Sequence, residues 1–486
     1  MAMSAVFYSE LFFIFFMYVL RNSMETISYS ECLKEMFALG RFGIKLELDT
    51  VAGILKRLGS PEKRFRSIHI AGTNGKGSTA SYIASILRSS GFKVGLYTSP
   101  HLIKFNERFS INGNMVSDDD VVESFLAVKK ADTGERRATF FEISTAMAFY
   151  LFAREDVEWA VIETGMGGRL DATNVLEPAV SVISNLSIEH TEYLGDTLEE
   201  IAAEKGGIIK PHTPLVTGVR QPSALKVLNE IAEERSASVY QYGKEFTITA
   251  ATEINRSDTL SNADDKEVSL RRTGTNFTYK GINSTWSGME ITLPGPHQIQ
   301  NSALALAACE LLMEQNGGKI TQESIREGLA ATTWPGRLEY ILRKPLVLID
   351  GAHNLDAAEN LGRYLQRYHG QRAYDNLELS SSSGLTMVIG ILSDKPYKEM
   401  LVHMLPAAGR VIFTRAKTDR SIDPKILKDF ATTMTDGQIM VIEDVGEAVR
   451  YAIERASEDE CICIAGSLYV AGEARAEILK DFPLQA

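Results

Sequence analysis

The sequence predicts an α/β protein: a parallel-sheet domain followed by a smaller doubly wound, Rossmann-like domain. Three observations carry this. Short apolar runs alternate with helix-length stretches from Met24 onward. A glycine-rich turn, Gly72-Thr73-Asn74-Gly75-Lys76-Gly77-Ser78, joins one such run to a helix. Trp334-Pro335-Gly336 then breaks the rhythm, and a second α/β alternation begins. At 486 residues the chain exceeds one ordinary core, so two or three domains are expected.

In the first unit the apolar runs place strands at 67–71, 93–97, 158–164, 179–185 and 214–217. Helices fall between them at 78–90, 118–130, 141–154, 197–205 and 222–235. Residues 238–293 change character, with short β-rich segments, many Thr, Ser and Asn, and an acidic stretch; they read as an antiparallel insertion at the domain's edge. Helices at 299–315 and 321–331 complete this unit. In the second, strands are expected at 345–350, 385–391, 409–414, 438–442 and 461–465, with a low-complexity loop at Ser380 to Gly384. The domain expectation is an extension at 1–23, a first domain at 24–333, a hinge at 334–337 and a second domain at 338–486.

The extension contains a ten-residue apolar run, Leu11 to Leu20, too short for a bilayer span and wrongly flanked for a signal peptide. Translation is expected to start at Met24, with the preceding segment untranslated or else an unstructured or weakly membrane-associating tail. Hydrophobic content of 44% with 23% charged residues is that of a soluble globular protein. A net charge of −12 argues against wholesale nucleic-acid binding but leaves room for a local basic pocket. The four cysteines are scattered; Cys461 and Cys463 are expected on opposite faces of an apolar strand, so no metal or disulfide framework follows. A reducing cytoplasm fits, with no stable membrane partner.

Chemistry concentrates at strand ends. The Gly72–Ser78 turn lets backbone N–H groups converge on a phosphate, the helix N-terminus adds its positive end, Lys76 can reach outer phosphates and the Ser78 hydroxyl can ligate Mg²⁺. Gly77 separates lysine from serine, so the general nucleotide pattern is missed by one residue; the bland alternative is a tight turn that binds nothing. Glu163 ends the next strong strand, before Thr164-Gly165-Met166-Gly167-Gly168, which fails the G-x-G-x-x-G spacing of a dinucleotide turn. A carboxylate there suits Mg²⁺. Ser99 and His190 follow two further strands, although a lone histidine is more often a polar surface residue. In the second unit Asp350 can bind ribose hydroxyls, and Arg337 sits at the hinge within reach of phosphates on closure. Composition alone leaves Lys205 an ordinary solvated lysine.

Together these segments resemble the folylpolyglutamate synthase/dihydrofolate synthase family of the Mur ligase superfamily, over about residues 25–486. The motifs are GTNGKGS at 72–78, YTSPHL at 97–102, FNERFSING at 105–113, ETGMGGRLDATN at 163–174, EHTEYLG at 189–195, AEKGGIIKP at 203–211, GPHQIQNSALA at 295–305, WPGRLE at 334–339, DGAHN at 350–354 and GSLYVAGEAR at 466–475. The resemblance implies an ADP-forming carboxylate–amine ligase that adds L-glutamate to dihydropteroate, to folate polyglutamates, or to both, through an acyl phosphate. Its cofactors would be ATP and two Mg²⁺ ions, with room for a monovalent cation. It implies a monomer acting on small molecules. By the same likeness Thr73, Asn74, Gly75, Lys76, Gly77, Ser78, Asn301, Arg337 and Asp350 would hold ATP. Ser78, Ser99, Glu163 and His190 would hold metal. Lys205 would be carbamylated, and His353 would lie beside the nucleotide. Thr139, Phe140, Phe141, Glu142, Leu170, Asp171 and Ala172 would line the pterin side, with Ile44-Lys45-Leu46 a weaker match and Phe105 to Gly113 a mobile loop. One departure stands out: the family's usual Asp-His is Glu189-His190.

The remaining classes are a phosphate-loop kinase or GTPase and a non-catalytic nucleotide-binding regulator. The Asn-Lys-x-Asp base-reading motif of a GTPase is missing from the sequence. A regulator has no need of Ser78, Ser99, Glu163 and His190 together.

Overall fold

A computed structural model describes residues 27–39, 47–255, 273–313, 316–369, 384–434 and 437–482. The 1–23 extension, Ile44 to Leu46 and most of the Ser380 loop lie outside them. The first lobe is built on an eight-stranded sheet in the order β4-β3-β2-β5-β1-β6-β7-β8. Its strands are β1 (Arg66–Ala71), β2 (Val94–Tyr97), β3 (Phe109–Ile111), β4 (Asn114–Met115), β5 (Trp159–Glu163), β6 (Val180–Ile183), β7 (Leu215–Thr217) and β8 (Val239–Gln241). All neighbours pair in parallel except β2–β3 and β3–β4.

Central parallel strands are covered on both faces and therefore read as continuous apolar runs. In β5 alternate residues separate: Trp159 and Val161 join the core under helices Lys76–Ser89, Pro296–Met313 and Gln322–Ala330, while Ala160 and Ile162 join the core under helices Asp118–Ala131 and Phe140–Arg154. The sequence places 238–293 wholly in an antiparallel insertion. Instead β8 extends the main sheet, and the insertion is a three-stranded antiparallel sheet of β9 (Thr247–Asn255), β10 (Thr273–Lys280) and β11 (Thr285–Ile291).

The second lobe carries a six-stranded sheet in the order β12-β13-β17-β14-β15-β16. Its strands are β12 (Glu339–Arg343), β13 (Leu346–Ile349), β14 (Leu385–Ile389), β15 (Arg410–Arg415), β16 (Gln438–Asp444) and β17 (Cys461–Ala465). β12 is antiparallel, and it escapes the sequence reading because it lies directly after the Trp334–Gly336 break. Cys461 and Cys463 share one core cluster while Ile462 and Ile464 lie in the other. Residues two apart share a strand face, so the expected opposite faces are corrected. Both thiols are buried and free.

The lobes meet at the carboxyl ends of their parallel strands. Gly472 packs so closely against the first lobe that a Cβ there would fall 2.0 Å from the Leu102 carbonyl oxygen. No described helix is long and apolar enough to cross a membrane.

Candidate active site

Between the lobes lies a cleft of about 1190 Å³, where the ends of β1, β2, β5 and β6 converge with the loop after β13. Its floor is the turn from β1 into helix Lys76–Ser89. The turn is pinned from the β6 side: Asn185 accepts the N–H groups of Thr73 (2.9 Å, carbonyl) and Asn74 (2.7 Å, side chain). Gly75 has φ +81°, and a Cβ there would lie 2.4 Å from Asn301 Oδ1, so glycine is required twice over. Asn301 donates to Gln298 (3.1 Å), which donates to the Ser78 hydroxyl (3.2 Å), docking helix Pro296–Met313 against the turn.

Lys76 donates to the carbonyls of Gly72 (3.0 Å) and Thr73 (3.1 Å), folding its side chain back onto the loop. Lys205 donates to the same Gly72 oxygen at 2.9 Å. Burial, together with repulsion from Lys76, brings its pKa down to about 7. Both lysines thus converge on one carbonyl under the loop, and their mutual repulsion favours the neutral amine at Lys205.

Glu163 is buried at the end of β5 and accepts the Ser99 N–H at 3.2 Å. Burial raises its pKa, opposed by Lys76, the Ser99 N–H, Arg337 and Arg108. A buried carboxylate with one such hydrogen bond, lining the same cleft as Ser78 and Ser99, gives with their hydroxyls a set of hard oxygen donors of the kind that fits Mg²⁺. No cluster of three or more His, Cys, Asp or Glu exists among the described residues, so this donor set needs oxygens from the ligand. His190 has φ +54° just before the short helix Thr191–Leu194, and burial lowers its pKa, favouring the neutral imidazole that ligates metals.

The neighbouring Glu189 turns the other way, accepting from Lys395 of the second lobe at 3.2 Å with His353 Nε2 at 3.8 Å. Burial pushes its carboxyl up, but His353, His190, Lys395 and Lys76 together bring it down to about 2. His353 donates Nδ1–H to the Gly351 carbonyl at 2.8 Å, and burial lowers its pKa to about 4, so Nε2 stays an open acceptor at neutral pH. Asn74 and Asn354 exchange amide hydrogen bonds across the lobes (2.9 and 3.3 Å), and Asn74 also donates to Asp356 at 2.7 Å.

The opposite wall is aromatic and acidic. Thr139 caps helix Phe140–Arg154, and Glu142 accepts the Thr139 N–H (2.8 Å) and Arg136 (2.6 Å), so its carboxylate serves the fold first. Phe140 stacks on Phe37 at 5.6 Å, with the Arg108 guanidinium 5.2 Å from its ring. Asp171 accepts from Met166 N–H (2.9 Å) and Thr173 N–H (3.0 Å).

Apart from Ile44 to Leu46, which lie outside the described residues, every residue assigned from the sequence to ATP, metal or pterin lines this cleft except Lys205, which lies beneath its floor. Both oxygens of Asp350 accept one N–H each, from Leu338 and Ala352 at 2.9 Å, which shapes its turn and leaves a further lone pair on each oxygen facing the cleft it lines. One expectation changes. Of Phe105 to Gly113 only Arg108 reaches the cleft; Phe105 and Phe109 are core residues, not a loop over the site. Sequence reasoning missed Arg108, Lys395 and the reach of Glu189, for which no local signal exists.

Two family models match the chain: Mur ligase middle domain over residues 70–309, and Mur ligase, glutamate ligase domain, over residues 336–468. The chain is 36% identical over 442 residues to dihydrofolate synthase/folylpolyglutamate synthase of Bacillus subtilis, covering 90% of this chain and 95% of that one. Its fold is similar to the crystal structure of folylpolyglutamate synthase from Thermotoga maritima, with a TM-score of 0.76, 36% identity and coverage of 94% and 97%. It is also similar to the Escherichia coli FolC complex with DHPP and ADP, with a TM-score of 0.78, 26% identity and coverage of 93% and 99%.

Proposed function

The chain belongs to the dihydrofolate synthase/folylpolyglutamate synthase family of Mur ligases, and on that footing we propose how its cleft divides the work. The enzyme is an ATP-dependent ligase that adds L-glutamate in folate metabolism. Its acceptor carboxylates are dihydropteroate and tetrahydrofolate polyglutamates. The observation that carries this is the convergence of the phosphate turn, Glu163 and the Thr139–Glu142 wall on one interlobe cleft.

A carboxylate is a poor electrophile, so its oxygen first attacks the γ-phosphorus of ATP, and ADP leaves. The amine of L-glutamate then attacks the acyl carbon of the resulting acyl phosphate, phosphate leaves and the amine loses a proton. Positioning and charge neutralisation do most of this work. The turn's N–H groups and Lys76 hold the phosphates, with Asn301 and Arg337 as further ATP contacts. Mg²⁺, held by Ser78, Ser99, Glu163 and His190 as two ions, would supply positive charge where carboxylate meets triphosphate. Lys205 as a carbamate would place a negative group beneath the floor, its remaining N–H still able to donate to Gly72. His353 offers Nε2 as an acceptor beside the nucleotide. Leu170, Asp171 and Ala172 face the pterin across Phe140 and Phe141. The Asn74–Asn354 pair and the Glu189–Lys395 bridge draw the second lobe over the loop, excluding the water that would hydrolyse an acyl phosphate. The working form is a cytoplasmic monomer without nucleic-acid or membrane partners.

The test is one assay of purified protein with ATP, L-glutamate and either dihydropteroate or tetrahydrofolate, read by phosphate release and product mass. Glutamate-dependent phosphate release with one glutamyl residue added to both acceptors supports both activities; addition to tetrahydrofolate alone restricts the enzyme to chain extension. Phosphorylated product without glutamate incorporation would overturn the proposal.

A further inference from the structure

β1 carries a histidine that none of these steps uses. His69 is fully buried, and burial brings its pKa down to about 3, so the ring is neutral. Its Nε2 lies 2.8 Å from Thr173 Oγ1, and that oxygen lies 2.5 Å from Asp171 Oδ1. Nδ1 has no hydrogen-bond partner among the described residues.

Thr173 has one hydroxyl proton, so the relay runs in one of two directions. In the first, Nε2–H donates to Thr173, which donates to an ionised Asp171, and a bare Nδ1 is left unpaired. In the second, a protonated Asp171 donates to Thr173, which donates to Nε2, and a buried Nδ1–H is left unpaired. Buried orphan N–H donors are rarer than under-satisfied acceptors, which selects the first. The Met166 and Thr173 N–H groups also donate to Asp171, so every protein group touching it is a donor, as an acceptor-only carboxylate demands. Asp171 lines the cleft, and a pterin presents an edge of ring and amino N–H donors.

We propose that His69 is a positioning residue for the pterin substrate: acting through Thr173, it fixes Asp171 as an oriented, ionised acceptor for the pterin's N–H edge. This rests on assigning Leu170–Ala172 to the pterin wall. Burial already pushes the Asp171 carboxyl up against these donors, so removing one moves it toward the protonated form, a weaker acceptor that carries its own proton toward the pterin's donors.

The experiment compares KM for the pterin substrate, ATP and L-glutamate in His69→Leu, His69→Gln, Thr173→Val and Thr173→Ser, with thermal unfolding as the folding control. His69→Leu and Thr173→Val are expected to raise the pterin KM about tenfold or more while the other two KM values stay within about twofold. Glutamine and serine keep a donor and a hydroxyl, and are expected to restore most of the loss. The His69→Leu/Thr173→Val double variant is expected to be no worse than Thr173→Val, because both interrupt one relay. An unchanged pterin KM in folded His69→Leu, or a uniform rise in all three KM values, overturns the proposal; if His69→Leu fails to fold, Thr173→Val decides on the same criteria. Asp171→Asn separates the two levels: a silent Asp171→Asn removes the pterin wall, whereas an impaired one beside silent His69→Leu and Thr173→Val removes only the relay.

Discussion

Purging carbon dioxide from the assay should inactivate the enzyme, and the pH dependence of recovery is set by Lys205. Carbamylation needs the neutral amine, which attacks CO₂ and releases a proton. An ordinary lysine is neutral in only ~0.3% of molecules at pH 8. Burial and the neighbouring Lys76 bring Lys205 to about 7, so at pH 8 about nine in ten are neutral, a gain of roughly 300-fold. Between pH 8 and pH 6 the reactive fraction then falls about tenfold. The assay incubates purged enzyme with carbon-13 bicarbonate, follows the carbamate by NMR and measures turnover in parallel. Lys205→Ala is expected to be nearly inactive and partly rescued by short carboxylic acids. Full turnover in CO₂-free buffer with no carbamate signal, or unaided activity of Lys205→Ala, would refute the reasoning. The same lysine links to stability. Its folded pKa lies below its unfolded one, so between pH 7 and 10.5 the unfolded chain binds more protons and this group makes stability rise with pH. That slope is expected to be lost in Lys205→Met.

Lys76→Ala removes the cation parked on Gly72 and Thr73 and is expected to cost about 3–4 kcal/mol of transition-state stabilisation, a fall in kcat of a hundredfold or more, with the unfolding midpoint little changed. Normal turnover would remove the phosphate-loop assignment. Glu189→Gln keeps the arm but loses the charge facing Lys395, a pair whose side chains are each only 10% exposed. Losing a charged hydrogen bond costs about 1.5–3 kcal/mol, here expected as lower kcat and a larger radius of gyration of the ATP-bound enzyme in small-angle scattering. A compact particle with unchanged kcat would show that the bridge does not hold the lobes together.

How much was legible follows from where each signal resides. The buried strands β1, β5, β6, β14 and β17 declare themselves because both faces are covered and most residues are apolar or small. The antiparallel strands β3, β4 and β12 are short, half-exposed and mixed in composition, and β8 is hidden inside a segment whose polarity belongs to the insertion after it. The phosphate turn is a local device, so seven consecutive residues announced it. Lys205 is the opposite case: its chemistry comes from docking beneath Gly72, 133 residues away in sequence, and composition shows only a helix lysine. Glu189 reads as a conservative change from aspartate, yet its carboxylate meets Lys395, 206 residues on, a partner no local pattern names.

The central step is transfer of phosphate to the acceptor carboxylate before the amide forms. Labelling that carboxylate with heavy oxygen and analysing the inorganic phosphate released during ligation tests this directly. One labelled oxygen per phosphate, appearing only in turnovers that form product, is the predicted result. Unlabelled phosphate accompanying amide formation would contradict the acyl-phosphate route and the roles assigned to Lys76, Arg337 and the closing lobe.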